Sequence, residues 1–121
     1  MKLNPECLRG ILLTVEENCT FSTSWSYQEN SFDLEHLAEY DHKEIIYHIK
    51  QASQSGLIQG VQYFDNGRGV IINDLTPSGH EFLANIRTDT LWNKLMAKFT
   101  GASLPILIEG AKEVAMKHFL G

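Results

Sequence analysis

Residues 56–83 carry the signals for a helix end, a β-hairpin and a new helix, one directly after the other. Gly56-Leu57 is typical of a left-handed glycine cap, in which the next apolar residue folds back on the helix. Two short β-type segments follow, and Asn66-Gly67 between them supplies the positive φ angles of a tight turn. Thr76-Pro77 then offers an N-cap and a first helical residue. This order predicts the second half of a winged-helix domain.

The segment before this stretch predicts one long helix and one strand. The helix is expected over Pro5–Asn18, with Asn4 as its N-cap and apolar residues at helical spacing. Gly10 inside it costs about 1 kcal/mol relative to alanine, which predicts close packing against another element. Residues 20–27 alternate with a period of two, which predicts a strand that joins the wing sheet; a serine-rich loop is the alternative. The predicted aromatic face of the strand consists of Phe21, Thr23, Trp25 and Tyr27.

Two helices predicted between the strand and the wing are typical of a helix-turn-helix pair. The first is short, residues 34–39, with Ser31 or Asp33 as its cap. The second begins after Asp41, and Glu44 completes a capping box. This second helix would be the recognition helix, which lies in the major groove of DNA. Its outward face is predicted to show Lys43, Tyr47, His48, Lys50, Gln51 and Gln54.

Three helices are predicted after the wing, and the last two extend beyond a minimal winged-helix domain. Thr88 or Asp89 is expected to cap the middle one, and Ser103 the last. We therefore divide the chain into a winged-helix domain, residues 1–87, and a C-terminal helical extension, residues 88–121.

The last helix, residues 104–120, carries a broad apolar stripe. The stripe is expected to pair two copies into a homodimer or, as the alternative, to cover the core of its own chain. The polar face mixes acidic and basic residues, unlike the Lys/Arg-rich face of a lipid-binding helix. The residues predicted to form the dimer interface are Leu104, Leu107, Ile108, Ala111, Val114, Ala115 and Phe119.

The net charge of −5 is unevenly distributed along the chain. Residues 1–40 carry −5, residues 41–74 carry −1 and residues 75–121 carry +1. Proteins that bind duplex DNA usually present clustered Lys and Arg, and the sequence contains no such cluster. It also contains no signal peptide and no apolar run near the roughly 18 residues of a membrane span, so we expect a cytoplasmic protein without membrane contact. Cys7 and Cys19 are expected to be free thiols.

Catalytic and metal-binding motifs are not found in the sequence. It has no nucleophile motif, phosphate loop or dinucleotide fingerprint. The five histidines are scattered, so a zinc site would need the fold to bring ligands together. Glu35 and Glu39 share a face of a predicted helix, where a hydrated acidic patch is the commoner arrangement. We therefore expect no enzyme, no cofactor and no bound metal.

Three blocks of sequence together resemble a family of small uncharacterised proteins found in bacterial genomes and prophages and described as a domain of unknown function. The resemblance covers about residues 1–95, and the block that contains Leu75-Thr76-Pro77-Ser78-Gly79 is the most specific. It implies a winged-helix-like fold, a cytoplasmic setting in a bacterium or phage, and no assigned catalytic residue. The blocks are residues 1–5 with 11–17, residues 47–51 with 55–58, and residues 74–87 with 92–94.

The sequence thus predicts an α+β fold: a winged helix-turn-helix of three helices and a small antiparallel wing sheet, with a C-terminal helical extension. Two functions remain open. In the first, the chain is a dimeric transcriptional regulator of phage or prophage origin that binds double-stranded DNA. In the second, it binds a host or phage protein, through the same helix or through the acidic residues Glu35 and Glu39. The residues expected to contact DNA or a protein partner are Lys43, Tyr47, Lys50, Gln51, Gln54 and, at the wing tip, Arg68.

Overall fold

The computed structural model describes residues 1–31 and 34–121, in which five α-helices accompany two short antiparallel sheets. The chain is an α+β protein, as predicted, and it forms two compact units, Met1–Gly79 and His80–Gly121. The helices are α1 Pro5–Asn18, α2 His42–Gln54, α3 Pro77–Ile86, α4 Asp89–Phe99 and α5 Leu104–Leu120. The strands are β1 Trp25–Gln28, β2 Ile58–Gln59, β3 Gln62–Phe64, β4 Gly69–Ile72 and β5 Asp74–Leu75.

Helix α1 begins at the predicted cap and packs closely against a neighbouring segment at Gly10. The Asn4 side chain accepts hydrogen bonds from the backbone N–H groups of Glu6 and Cys7. A Cβ atom at position 10 would lie 2.5 Å from the carbonyl oxygen of His36. The close packing predicted for Gly10 is therefore confirmed, because glycine lets the backbone of His36 approach the helix.

The strand predicted over residues 20–27 is present in its second half, where it joins a three-stranded antiparallel sheet. Strand β1 pairs antiparallel with β4, and β4 also pairs with β3, which gives the order β1-β4-β3. Trp25 and Tyr27 are buried on one face, while the alternate residues of β1 are exposed. Phe21 does not share that face: it is fully exposed in a tight turn closed by Thr20 and Thr23. The predicted strand is thus wrong over its first half, because the chain turns back before Trp25.

The hairpin between β3 and β4 has the predicted turn at its tip, residues 65–68. Phe64 pairs with Gly69, and the three residues Asp65, Asn66 and Gly67 have φ angles of 52°, 54° and 82°. Asparagine and glycine adopt such angles at little steric cost, so the turn expected at Asn66-Gly67 is confirmed. At its base the hairpin continues as a second ladder, in which β2 pairs with β5.

The short helix predicted over residues 34–39 is wrong, because this segment consists of consecutive turns. The N–H of Leu37 donates to the carbonyl of Leu34 at 3.0 Å, and the N–H of Tyr40 donates to that of Leu37 at 3.1 Å. A six-residue helix does not repay the cost of its own nucleation without extended packing. Ser31 instead accepts a hydrogen bond from the N–H of Gln28. The other predicted cap, Asp33, lies outside the described residues.

Helix α2 has the predicted signals at both ends. Asp41 accepts a hydrogen bond from the N–H of Glu44 at 2.8 Å, which is one half of the capping box. The other half is replaced, since the Glu44 carboxylate accepts from the Asn4 side chain at 3.4 Å. Gly56 has a φ of 72°, and the N–H of Leu57 donates to the carbonyl of Ala52 at 2.9 Å. This is the expected Schellman arrangement.

In the second unit, α4 and α5 pack against each other. Of the two predicted caps of α4, Thr88 is the one found, since its hydroxyl accepts a hydrogen bond from the N–H of Leu91 at 3.2 Å. Ser103 occupies the N-cap position of α5, but its side chain makes no capping hydrogen bond. Among the described residues, no helix is both long enough and apolar enough to cross a bilayer.

Candidate binding surface on helix α2 and the β3–β4 hairpin

The outward side of α2 presents the five polar residues selected from the sequence. Lys43, Lys50 and Gln54 are exposed, while Tyr47 and Gln51 are half-buried. The opposite side of the helix carries the buried residues Ile45, Ile49 and Ala52. Arg68, at the hairpin tip, is exposed. We refer to Lys43, Tyr47, Lys50, Gln51, Gln54 and Arg68 as the α2–hairpin surface.

His48 was predicted on the outward side of α2, and this is wrong because the ring is fully buried. Its Nε2 accepts a hydrogen bond from the backbone N–H of Asn4 at 2.7 Å, and its Nδ1 lies 2.8 Å from the carbonyl oxygen of Glu44. A carbonyl can only accept, so Nδ1 carries the proton and donates it. The sequence did contain a signal, since positions 45, 48, 49 and 52 form one helical stripe.

His42 joins α2 to the hairpin tip, a role that the sequence did not reveal. Its Nε2 lies 3.0 Å from the carbonyl oxygen of Gly67, so Nε2 donates this bond. In the neutral ring Nδ1 is then an acceptor, and the Tyr27 hydroxyl lies 2.9 Å from it. The two rings are also stacked, with centroids 5.6 Å apart and an interplanar angle of 13°. The hydrogen bonds therefore place Arg68, next to Gly67, at the N-terminal end of α2.

The environment of Tyr27 keeps its hydroxyl protonated. Burial raises the pKa of Tyr27 above its usual value, and the negative charges of Glu29 and Asp41 raise it further. A protonated hydroxyl can donate to Nδ1 of His42 throughout the neutral range. The same two carboxylates show that acidic groups lie close to the N-terminal end of α2.

The basic side chains of the α2–hairpin surface form no ion pair with another described residue. Among the described residues, Lys43, Lys50 and Arg68 have no ion-pair partner. By contrast, Lys98 and Lys117 in the second unit pair with Glu113, at 2.6 and 3.0 Å. A cation that has no ion-pair partner can contact a phosphate without first losing a bond to the protein.

Acidic residues nevertheless adjoin this surface. A cleft of about 340 Å³ beside the hairpin tip has Glu29, Asp65 and Arg68 in its lining. The N–H of Glu29 donates to the carbonyl of Arg68 at 2.8 Å, which holds the two backbone segments together. Arg68 therefore lies among groups of both charges. An anion that binds to it would also be repelled by the carboxylates of Glu29 and Asp65.

The apolar residues predicted for a dimer interface are mostly packed inside the chain. Five of the seven are buried, Ile108 is half-buried, and Phe119 is 76% exposed. A buried side chain cannot also contact a second copy unless the chain opens. An interface on α5 would therefore be built from Phe119 and its exposed neighbours. The five buried residues are Leu104, Leu107, Ala111, Val114 and Ala115.

One group of side chains in the described part of the chain has the geometry of possible metal ligands. Single ligand atoms of Glu17, Glu35 and His36 lie within 4.8 Å of one another. Both carboxylates are exposed, and Nε2 of His36 already lies 2.8 Å from Oε1 of Glu17. This hydrogen bond accounts for the proximity of the pair without an ion.

Cys7 and Cys19 are free thiols, as predicted. Burial raises the pKa of Cys7 to about 12, with smaller contributions from the negative charges of Glu44 and Asp41. Burial likewise raises the pKa of Cys19, and its Sγ donates to the carbonyl of Ile72 at 3.6 Å. Neither environment stabilises a thiolate, which is the reactive form in nucleophilic or redox chemistry.

These observations define a small α+β protein in which His42 joins the start of one helix, α2, to the tip of one hairpin. The chain belongs to the family described as Hypothetical protein (DUF2513), which matches residues 2–105. An uncharacterized protein of Haemophilus influenzae is 34% identical over 116 residues, which cover 95% of this chain and 92% of that protein. The resemblance to a bacterial family of unknown function is therefore confirmed. No solved structure matches the chain.

Proposed function

We propose that this chain is a winged-helix module that binds double-stranded DNA and acts in transcriptional control. Its topology supports the assignment, because a helix, α2, is followed directly by a hairpin whose second strand, β4, pairs with β1. A winged helix combines a recognition helix and a wing in the same order. The resemblance drawn from the sequence implies the same fold.

The observation that carries the proposal is that cations without ion-pair partners lie on two elements, α2 and the hairpin tip, which a hydrogen bond joins. Lys43 and Lys50 lie on α2, and Arg68 lies on the hairpin tip that His42 joins to the start of α2. A recognition helix and an adjacent hairpin can grip the DNA backbone at neighbouring phosphates only if their relative position is fixed. The hydrogen bond from His42 to Gly67 joins the two elements and supports such an arrangement.

Five of the six residues of the α2–hairpin surface have a specific role in the proposed complex. Helix α2 lies in the major groove, where Gln51 and Gln54 hydrogen-bond to base edges. Lys50 and Arg68 contact phosphates, which supply affinity without reading sequence. Tyr47 packs against the sugar-phosphate backbone beside them.

Fluorescence polarisation of a labelled random-sequence duplex at about 50 and 200 mM salt tests the proposal, because each phosphate contact contributes about 0.9 to the slope of log affinity against log salt. We expect binding at low salt that falls steeply at high salt. Lys50→Ala and Arg68→Ala should each reduce the slope by about one. Lys2→Ala is the matched control, since Lys2 is exposed and lies outside α2 and the hairpin. No duplex binding at low salt would overturn the proposal.

A second function, binding of a host or phage protein, is favoured by the charge of the first unit. Residues 1–79 contain five basic and eleven acidic residues, a net charge of −6, which repels a polyanion at long range. Glu35 and Glu39 are both exposed and could contact a basic partner. The salt titration separates the two functions, because a protein-binding module would show neither duplex affinity nor a salt slope that depends on Lys50.

A further inference from the structure

The C-terminal half of α5 presents an apolar face that the chain does not cover. Met116, Phe119 and Leu120 are 59%, 76% and 79% exposed. Their spacing places them on one side of the helix together with Lys112, since residues three and four apart are neighbours on a helix surface. We refer to these four residues as the C-terminal face.

A groove adjoins this face within the same unit. It has a volume of about 410 Å³, and it lies between the C-terminal face and two residues of α3. Those two residues, Glu81 and Asn85, are one helical turn apart and therefore line the same wall. The groove thus has an apolar wall with one basic residue and a polar wall with one acidic residue. Its lining residues are Glu81, Asn85, Lys112, Ala115, Met116, Phe119 and Leu120.

We propose that a second copy of this chain occupies the groove, in a two-fold symmetric dimer. An isologous interface requires a patch that is complementary to itself. The groove and the C-terminal face together meet this requirement, because large exposed apolar side chains lie beside a groove that can accept them. A two-fold axis through the groove brings α3 of one copy onto α5 of the other. Phe119 of each copy then enters the groove of its partner.

The charges at the groove are complementary under the same rotation. Glu81 on one wall faces Lys112 of the second copy, and the symmetry makes this pair twice. Among the described residues Glu81 has no ion-pair partner. Within the part of the chain that the structure describes, Lys112 pairs only with Glu109, in an exposed contact at 3.3 Å. A contact of that kind contributes little to stability, so the Lys112 amine can exchange it for Glu81 of the second copy.

The patch is small, which favours a weak and reversible dimer. Specific interfaces bury about 1,200–2,000 Å² in total. Because each copy contributes only three large apolar side chains and the groove walls, we expect this contact to lie near the lower limit. We therefore expect reversible association with a dissociation constant in the micromolar range. The inference concerns residues 80–121 alone and does not depend on DNA binding.

Sedimentation equilibrium over protein concentrations from about 5 to 500 µM, the range around a micromolar dissociation constant, tests the proposal. The mass should rise from 13.7 kDa toward twice that value. Phe119→Ser should weaken association at least tenfold. Phe21→Ser is the matched control, because Phe21 is a fully exposed phenylalanine in the other unit and should leave association unchanged. Circular dichroism confirms that each variant is folded.

A charge exchange distinguishes the proposed symmetry from unspecific apolar contact. Glu81→Lys should weaken association, because two lysines then face each other across the axis. Adding Lys112→Glu to that variant should restore it. A monomer at every concentration, equal effects of Phe119→Ser and Phe21→Ser, or no recovery in the double variant would each overturn the proposal.

Discussion

Nε2 of His42 donates a hydrogen bond to the carbonyl oxygen of Gly67 at 3.0 Å, although the two residues are 25 positions apart. The same ring accepts from the Tyr27 hydroxyl on its other side, so one side chain joins β1, the start of α2 and the hairpin tip. The hairpin tip is built from a local turn, and we expect its orientation toward α2 to depend on this imidazole.

Replacement of His42 by phenylalanine tests that dependence, because Phe keeps the stacking on Tyr27 and removes both hydrogen bonds. The carbonyl of Gly67 and the hydroxyl of Tyr27 lose their partner, which should lower the free energy of unfolding by about 1–2 kcal/mol. Urea denaturation measures the loss, and amide exchange at Arg68 and Gly69 should become faster. His80→Ala, at an exposed histidine, should stay within about 0.5 kcal/mol of the parent. Parent-like stability of His42→Phe would contradict the role assigned to the ring.

His48 is expected to contribute more to stability than any residue on the outward side of the same helix. In His48→Leu the N–H of Asn4, at a partly buried site, loses its acceptor, and an unsatisfied donor of this kind costs about 1–3 kcal/mol. His48→Gln should lose less, because its side-chain oxygen can still accept. Urea denaturation of both variants, with Gln54→Leu as the exposed control, checks this order. Equal losses in His48→Gln and His48→Leu would show that ring packing, and not the hydrogen bond, is what matters.

The features that the sequence predicted correctly depend on residues close together in the chain. The caps at Asn4 and Asp41, the glycine at 56 and the turn at Asn66-Gly67 each involve partners within about five positions. Such contacts are encoded by short motifs, so one sequence is enough to recognise them. These cap and turn residues mark where helices and strands begin and end, so the order of the main elements could be predicted from them.

The contacts of the candidate site could not be predicted in the same way. His42 bonds to Gly67, and the N–H of Asn4 bonds to His48 across 44 positions. No local pattern encodes which carbonyl or N–H group a histidine will meet. The apolar stripe of α5 could be recognised from the sequence in the same way. The sequence did not show which of its residues are buried and which, like Phe119, are exposed. The helix predicted over residues 34–39 was wrong because helical spacing of apolar residues does not by itself overcome the cost of helix nucleation.

Gly10→Ala should destabilise the protein, although alanine is the better helix former. The gain in helix propensity is about 1 kcal/mol, but the new Cβ would lie 2.5 Å from the carbonyl oxygen of His36. The turn at residues 34–40 must then move away from α1, at a typical overpacking cost of about 1–3 kcal/mol. Thr90→Ala is the control, since position 90 is exposed on α4 and should gain a few tenths of a kcal/mol. A Gly10→Ala variant more stable than the parent in thermal denaturation would contradict the close approach.

Cys7 should be the less reactive of the two thiols. With a pKa of about 12, only about one Cys7 in ten thousand is a thiolate at pH 8 in the folded protein, so a disulfide reagent should not modify it. Cys19 is only partly buried and should react first, while urea should release both. The folded state disfavours ionised Cys7, so the stability that this thiol contributes is present below about pH 9 and falls as the pH rises toward 12. A reagent titration of the parent, Cys7→Ala and Cys19→Ala assigns each thiol, and rapid modification of Cys7 in the folded Cys19→Ala variant would contradict its burial against α2.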